Sequence, residues 1–172
     1  MFKILDKACT PTRGTKYSAA VDLRSREDIT IDVGETVLIP LGIKIDKEVI
    51  LDGIHNIYTN EGMLAEYKLD HFFKTHYLQL MLRSGLGKKG LILPNGVGVI
   101  DLDYQDEIMM IIHNPMDISS VYALQENSNP NFIEIKKGDR VGQITLLEHK
   151  SYLFGVDSDE VRSGGFGSTG SK

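Results

Sequence analysis

The sequence predicts an all-β fold, a barrel or sandwich built as one domain. Short stretches of alternating or β-branched apolar residues recur along the chain, which is typical of strands. Turn-prone groups such as Pro94-Asn95-Gly96 separate these stretches, whereas helical periodicity is scarce. The 172 residues, 41% of them hydrophobic, suffice for one ordinary core. We therefore expect one β domain over residues 1–160.

The predicted strands follow one another at short intervals. Alternation within each of them places one set of side chains in a core and the other set toward solvent. In chain order the predicted strands are Phe2–Leu5, Ile29–Val33, Thr36–Pro40, Gly42–Ile45, Tyr77–Leu82, Leu91–Leu93, Gly96–Ile100, Glu107–Ile112, Ser120–Leu124, Phe132–Ile135 and Arg140–Glu148.

Two segments break this rhythm and are predicted as insertions, near residues 47–76 and 114–131. The first is predicted to be mainly helical. Within Asn60–Thr75, side chains at three-to-four spacing predict a helix: Leu64, Tyr67 and His71, and likewise Lys68 and Phe72. The second segment is irregular and polar, and we expect an elongated loop or a hairpin extension there.

Composition and charge exclude several functional classes. The formal net charge of −5 argues against a nucleic-acid partner, because such proteins usually present a broad basic face. No apolar run approaches the roughly eighteen residues of a membrane span, so no membrane partner is expected. The single cysteine, Cys9, and the lack of a secretory pattern at the N-terminus favour a cytoplasmic setting, or the host cytoplasm if the protein is viral.

A basic turn follows the predicted strand Tyr77–Leu82. Its residues Arg83-Ser84-Gly85 can open one helical turn, which would direct backbone N–H groups, a hydroxyl and a cation at one point. This arrangement indicates an anion site. A basic surface turn is the alternative interpretation.

Polar side chains also occur inside apolar surroundings. Asp22 lies among small and apolar residues, where an unpaired carboxylate would be costly. Near the last strand, Asp139 is expected to satisfy a turn and Arg140 to pair with an acid. Gln143 interrupts an apolar strand, so its amide is expected to reach a polar pocket.

The predicted strand Gly96–Ile100 runs directly into Asp101, Asp103 and Tyr104. If the strand continues, the two aspartates lie on one face, because residues two apart on a strand share a face. They would then offer a metal pair, or a general base with a structural neighbour. A solvated strand end is the alternative.

The C-terminal stretch, residues 162–170, contains four glycines in nine residues. Glycine lets a backbone approach a ligand closely, Arg162 can grip a phosphate in a bidentate fork, and Phe166 can lie flat on a nucleobase. We expect a flexible lid over residues 161–172. A frayed terminus is the alternative, as for most terminal Gly/Ser segments.

In order and content, these stretches resemble the five motifs of the trimeric dUTP nucleotidohydrolase (dUTPase) family, over most of the chain outside the two insertions. The motifs are Ala19-Ala20-Val21-Asp22-Leu23, Arg83-Ser84-Gly85-Leu86-Gly87, Gly98-Val99-Ile100-Asp101-Leu102-Asp103-Tyr104, Gly138-Asp139-Arg140-Val141-Gly142-Gln143 and the C-terminal tail. Departures from the family pattern remove no group that does chemistry; they are Ala20, Leu82, Leu102 and Gly142.

The resemblance implies a distorted β-barrel or jelly roll, and an enzyme that hydrolyses dUTP to dUMP and pyrophosphate with Mg²⁺. Asp101 would be the general base that deprotonates water for attack on the α-phosphorus. No direct protein ligand to the metal is expected, and Asp22 would contact it through water or act structurally. The phosphates would be bound by Arg83, Ser84, Gly85, Gln143, Arg162, Ser168 and Thr169.

The resemblance also implies how the nucleoside is bound. Tyr104 would pack under the deoxyribose and exclude a 2′-hydroxyl, and Phe166 would stack on uracil. The tail would reach the site of a different subunit, which implies a homotrimer with exchange of C-terminal arms. The full set of uracil and deoxyribose contacts would be Asn95, Gly98, Val99, Ile100, Asp101, Tyr104, Met109, Phe166 and Gly167.

Two competing hypotheses are weighed against this one. A relative with the same fold deaminates dCTP, but the second motif and Asp101 favour hydrolysis. The other hypothesis is a binding or regulatory module whose protein partner contacts residues 47–76, because aromatic side chains are enriched at interfaces. Packing of these side chains onto the barrel is the alternative. The aromatic residues are Tyr58, Tyr67, Phe72 and Phe73.

Overall fold

The computed structural model describes residues 1–58, 65–115 and 132–156. In these ranges the chain forms eleven strands, three α-helices and two 3₁₀ helices. The strands are β1 (Phe2–Ile4), β2 (Thr12–Arg13), β3 (Val21–Arg24), β4 (Ile29–Asp32), β5 (Thr36–Pro40), β6 (Ile43–Ile45), β7 (His76–Leu82), β8 (Gly98–Asp101), β9 (Met109–His113), β10 (Phe132–Ile135) and β11 (Arg140–Glu148). The α-helices are α1 (Lys47–Tyr58), α2 (Ala65–Thr75) and α3 (Ser84–Gly87), and the 3₁₀ helices span Lys7–Cys9 and Ser151–Phe154.

The paired strands form one five-stranded sheet and three ladders. The sheet has the order β2-β3-β11-β7-β8, and the two-stranded ladders are β1–β6, β4–β10 and β5–β9. β7 lies between β8 and β11, and its ladder with β11 runs from His76 opposite Glu148 to Leu82 opposite Gly142. The all-β prediction is confirmed. Within the described residues, the sheet and ladders do not close into a continuous barrel.

The sheet and the ladders enclose one hydrophobic core. On β7, Leu78 and Leu80 are buried in this core, whereas Gln79 and Met81 lie on the opposite face because side chains alternate along a strand. The ladders contribute fully buried aliphatic side chains, among them Ile31, Ile39 and Ile112. The two faces of β7 therefore meet different surroundings.

The described part of the first insertion contains two helices, whereas the prediction gave one helix with defined bounds. α2 lies within the predicted Asn60–Thr75 but begins at Ala65, and α1 is absent from the prediction. Among the side chains of α1 that are described, only Ile50 and Ile54 are buried. These two lie four residues apart, as on one face of a helix, but other apolar residues between and around them hide this spacing in the sequence. Asp46 stabilises the start of this helix, because its carboxylate accepts hydrogen bonds from the N–H groups of Glu48 and Val49.

Both helices described in the first insertion pack against the hydrophobic core. Phe72 and Phe73 are partly buried against the core, and α2 ends at Thr75 immediately before β7 begins. This favours the packing role for these aromatic side chains over an interface role. The side chains of Tyr58 and Tyr67 lie outside the described part, and a protein partner for residues 47–76 stays a prediction.

Several predicted strands differ from the observed ones. β3 was not predicted, because Asp22 and Arg24 interrupt its apolar pattern. The predicted strand Leu91–Leu93 is reduced to a single bridge between Ile92 and His113. The predicted strand Ser120–Leu124 lies outside the described residues. Across the described ranges, no helix is long and apolar enough to cross a membrane.

A glycine is required at the turn between β5 and β6. Gly42 has a φ of 62°, in the left-handed region, and a Cβ atom there would lie 2.7 Å from Cys9 Sγ. Its carbonyl oxygen also accepts the N–H of Leu5 at 2.8 Å. The turn is therefore fixed both by backbone conformation and by close packing.

We expect Gly42→Ala to lower the free energy of unfolding by about 2–4 kcal/mol, because the new methyl group is strained at positive φ and collides with Cys9. Urea unfolding followed by circular dichroism measures the change. Gly53→Ala in α1 is the matched control, since nothing lies within 4 Å of the Cβ position there. A gain of roughly 0.5–1 kcal/mol is expected for that variant. Equal effects of the two substitutions would contradict the packing argument.

Candidate active site

An apolar pocket of about 210 Å³ opens beside β7, β8 and β9. This volume is below the roughly 300–1,000 Å³ of sites for drug-sized ligands, which suits a ligand no larger than a nucleoside. Six of the residues predicted to contact uracil or deoxyribose line it: Asn95, Gly98, Val99, Ile100, Tyr104 and Met109. The other lining residues are aliphatic: Leu80, Leu93, Ile108 and Ile111.

β8 forms one wall of the apolar pocket and approaches β7 closely. Gly98 pairs with Leu80, and a Cβ atom on Gly98 would lie 3.0 Å from the Leu80 Cβ atom. β8 is also an edge strand of the sheet, and edge strands present backbone N–H and C=O groups on their open side. The wall can therefore offer main-chain hydrogen bonds to a flat polar ligand.

Tyr104 closes the apolar pocket at the end of β8 and is buried. Its hydroxyl donates to the carbonyl oxygen of Glu107 at 3.3 Å, and its backbone N–H donates to the carbonyl oxygen of Asp101 at 3.1 Å. The first bond holds the ring at its hydroxyl, and the second holds the main chain of Tyr104. Its contribution to the pocket is the shape of a fixed aromatic wall.

A second cavity, the arginine cleft, has a volume of about 440 Å³. Asp22 organises it. One carboxylate oxygen lies 2.9 Å from Arg83 Nε and the other lies 3.1 Å from Arg140 Nη1. The Asp22 side chain is only 11% exposed, so the two cations compensate a charge that would be costly alone. The lining residues are Gly14, Ser18, Ala19, Ala20, Asp22, Met81, Arg83, Arg140 and Gln143.

The strand register brings Gln143 to the arginine cleft. It lies opposite Asp22 on β3 and opposite Met81 on β7, and cross-strand partners share a face. The amide therefore reaches a polar pocket, as predicted. The predicted pairing of Arg140 with an acid is also observed, and Asp139 satisfies a turn by accepting the N–H of Lys136 at 2.9 Å.

The two cavities lie on opposite faces of the sheet. Leu80 lines the apolar pocket and Met81 lines the arginine cleft, and neighbours on a strand point to opposite faces. Asp101 lies opposite Tyr77, which shares a face with Met81. Tyr77 and Met81 are four residues apart, which corresponds to roughly 14 Å along β7. One chain therefore does not bring Asp101 next to its own paired arginines.

Comparison with known proteins assigns this arrangement to a family. The dUTPase family model matches residues 71–170. The deoxyuridine 5′-triphosphate nucleotidohydrolase of Haemophilus ducreyi is 34% identical over 167 residues, which cover 93% of this chain and 86% of that protein. The chain belongs to the dUTPase family. The enzyme of the same name from Hahella chejuensis is 32% identical and covers 100% of this chain and 97% of its own length.

Solved dUTPase structures share the fold. The dUTPase of Streptococcus mutans matches with a TM-score of 0.57 at 26% identity, over 86% of this chain and 94% of that chain. The dUTPase from phage phi11 of S. aureus matches with a TM-score of 0.59 over 98% of this chain and 97% of that chain. Because the identity of the second match is 18%, it shows a shared fold and nothing more.

The second dUTPase motif adopts the predicted helical turn. Arg83 is extended at the N-cap of α3, and Ser84 and Gly85 open the helix. Both are exposed at the end of β7. Leu86 anchors the turn in the core, because its side chain is buried.

The third dUTPase motif departs from one prediction. β8 ends at Asp101, and Leu102 and Asp103 form a turn in which the Leu102 side chain is buried. The strand does not continue, so the condition for placing Asp101 and Asp103 on one face is not met. Asp101 itself is exposed.

The fifth dUTPase motif falls on the C-terminal tail, which lies outside the described residues. The predicted roles of these five residues therefore stay predictions: Arg162, Phe166, Gly167, Ser168 and Thr169.

Some residues of the two cavities escaped sequence reasoning. Gly14 and Ser18 line the arginine cleft, and the Ser18 hydroxyl accepts the N–H of Thr15 at 2.9 Å. A signal was present in the sequence at Gly14-Thr15, because glycine and threonine both favour turns. The pairing of Asp22 with Arg83 was also missed, because 61 positions separate them in the chain.

We expect Asp22→Asn to lower the free energy of unfolding by about 1–3 kcal/mol, because it leaves two guanidinium groups without their shared counter-charge; partial exposure of both arginines reduces the effect. Chemical denaturation measures it. The control is Asp70→Asn, which removes the exposed helical pair with Lys74, and a change of at most about 0.5 kcal/mol is expected there. A similar loss in both variants would argue against a special role for Asp22.

Proposed function

We propose that this protein is a dUTP diphosphatase, a hydrolase that cleaves the α–β phosphoanhydride of dUTP to give dUMP and pyrophosphate. The observation that carries the proposal is the apolar pocket of about 210 Å³, whose backbone wall, β8, ends at Asp101. The names of the relatives from Haemophilus ducreyi and Hahella chejuensis support the same substrate. Residues 1–160 would form the catalytic domain and residues 161–172 a lid.

Uracil would lie in the apolar pocket against β8. The backbone from Gly98 to Asp101 and the Asn95 amide would pair with the edge of the base, and Met109 would contact the nucleotide through its backbone. Cytosine presents the reversed donor pattern. A buried group left unpaired costs about 1–3 kcal/mol, which is roughly tenfold to hundredfold in discrimination for each hydrogen bond. The Tyr104 ring would exclude a ribose 2′-hydroxyl.

Asp101 would act as the general base. Asp101 is exposed and is the last residue of β8. Its carbonyl oxygen accepts a hydrogen bond from the N–H of Tyr104. The carboxylate would take a proton from water as the water oxygen attacks the α-phosphorus, and the bond to the bridging oxygen would break to release pyrophosphate. Positioning and charge stabilisation account for most of such phosphoryl chemistry.

The phosphates would be bound in the arginine cleft. Arg83 and Gln143 line it, and Ser84 and Gly85 follow at the start of α3. Asp22 would hold Arg83 and Arg140 at a fixed separation, which spares the ligand the cost of ordering them. From the tail, Arg162, Ser168 and Thr169 would close over the phosphates, while Phe166 would stack on uracil and Gly167 would permit the close approach.

Mg²⁺ would enter with the triphosphate. Within the described residues, no group of three or more His, Cys, Asp or Glu side chains is arranged to hold a metal ion. Mg²⁺ keeps several waters and binds phosphate oxygens without an all-protein cage, so the proposal requires no direct protein ligand. Both oxygens of Asp22 bind guanidinium groups, so its structural role is favoured over a contact with metal-bound water. When bound, the ion would neutralise charge on the phosphates.

The active form would be a homotrimer with exchange of C-terminal arms. The apolar pocket and the arginine cleft lie on opposite faces of one sheet, and Asp101 is roughly 14 Å from the cleft along β7. One substrate could then bridge the apolar pocket of one subunit and the arginine cleft of another. The tail of a third subunit would complete the site.

The reaction would serve nucleotide metabolism. Removal of dUTP limits uracil incorporation into DNA, and dUMP is the substrate for thymidylate synthesis. Such an enzyme acts where deoxynucleotides are made, so we place it in the cytoplasm, or in the host cytoplasm for a viral protein.

Pyrophosphate release measured with dUTP, dCTP, dTTP and UTP tests the proposed function. We expect dUTP to be the preferred substrate, with each competitor at least tenfold poorer in kcat/KM, because each violates one pairing or shape constraint of the apolar pocket. Ammonia release from dCTP without pyrophosphate from dUTP would replace the proposal with the deaminase hypothesis.

Asp101→Asn should retain dUTP binding and lose turnover by at least about a hundredfold, because the amide cannot accept the proton from water. Single-turnover kinetics separates the chemical step from binding. Asp103→Asn, two residues away in the turn, is the matched control and should retain activity. Substantial turnover in Asp101→Asn would exclude this residue as the base.

A further inference from the structure

Glu107 does not line the apolar pocket, but its carboxylate is bound from two directions. Glu107 Oε1 accepts the N–H of Gly42 at 2.7 Å, and Oε2 lies 3.0 Å from Arg26 Nη1. The side chain is only 15% exposed. A carboxylate this buried needs such partners, so its position is determined by the β5–β6 turn and by Arg26.

The residues held by Glu107 form the pocket loop, defined here as residues 104–108. Tyr104 and Ile108, at its two ends, both line the apolar pocket. Ile108 is fixed by its backbone, which donates to the carbonyl oxygen of Ile43 at 2.9 Å and accepts the N–H of Leu41 at 3.0 Å. The described contacts of Tyr104 include its hydroxyl bond to the carbonyl oxygen of Glu107.

The anchor for the pocket loop is rigid. Gly42 has positive φ, packs against Cys9 and accepts the N–H of Leu5, so its own N–H has little freedom to follow a displaced carboxylate. The Arg26 backbone N–H is also engaged, with the carbonyl oxygen of Pro40 at 2.9 Å. Without these side-chain contacts, the Glu107 peptide unit would keep the bond from the Ile108 N–H to Ile43 but lose two of its anchors. The Tyr104 ring, which bonds to the carbonyl oxygen of that unit, would then be held less firmly.

We propose that Glu107 is a positioning residue for sugar selection: by tying the pocket loop to Gly42 and Arg26, it holds the Tyr104 ring where deoxyribose fits and a ribose 2′-hydroxyl does not. The inference rests on the proposed function. A ring released from this anchor can retreat and make room for the extra hydroxyl. dUTP has no 2′-hydroxyl to fill the added space. Its binding is therefore weakened by less than the binding of UTP is strengthened.

The test compares Glu107→Ala and Glu107→Gln with wild-type protein in the full-length chain. kcat/KM is measured for dUTP and UTP, and dissociation constants for dUMP and UMP are measured by calorimetry. We expect the dUTP:UTP ratio of kcat/KM to fall about tenfold in Glu107→Ala, with a parallel fall in the dUMP:UMP binding ratio. Glu107→Gln keeps an acceptor for Gly42 and should show a fall of about threefold.

Glu27→Gln is the matched control. Glu27 also pairs with Arg26, at 3.5 Å, but it is exposed and has no described contact with the pocket loop. Its dUTP:UTP ratio should equal that of wild-type protein. A general loss of stability lowers activity toward both nucleotides equally, so the ratio separates positioning from folding.

An unchanged ratio in Glu107→Ala would overturn the inference. If that variant does not fold, an unchanged ratio in Glu107→Gln would do the same. A wild-type protein that neither hydrolyses dUTP nor binds dUMP would instead defeat the proposed function. The two failures are therefore distinguishable.

Discussion

The antiparallel pairing of β7 with β8 on one side and β11 on the other is the constraint on which the rest of this structure depends. It determines which side chains share a face. Leu80 and Gly98 meet on the core side and shape the apolar pocket, while Met81 and Gln143 meet on the other side, in the arginine cleft. A slip of one residue would exchange the two faces and destroy both cavities.

Two partly buried carboxylates then turn this framework into organised cavities. Asp22 holds two arginines that lie far apart in the chain, and Glu107 ties the pocket loop to the β5–β6 turn. Each carboxylate has cationic and hydrogen-bonding partners, because an unpaired charge in these surroundings would be too costly. Asp22 and Glu107 have no expected role in the chemical step. They instead position groups that would bind the substrate: the two arginines and the pocket loop.

The fold was largely predictable from local patterns, and the exceptions have physical reasons. Alternating apolar residues were sufficient for β4, β5, β7 and β10, since one face of each strand packs on the core. β3 escaped because the charged Asp22 lies within it, and its compensation comes from distant residues. α1 escaped because its few core contacts are spaced as in a helix but are surrounded by other apolar residues. In both cases tertiary contacts outweighed the local signal.

The sequence by itself determined the all-β class, the order of the five motifs and the residue types suited to binding a nucleotide, because these depend on local spacing and on side-chain chemistry. Only the tertiary structure decided that Asp22 joins Arg83 to Arg140, that β8 ends at Asp101, and that the apolar pocket and the arginine cleft lie on opposite faces of one sheet. These features depend on strand register and on charge pairing between distant segments, and neither is written in the spacing of neighbouring residues.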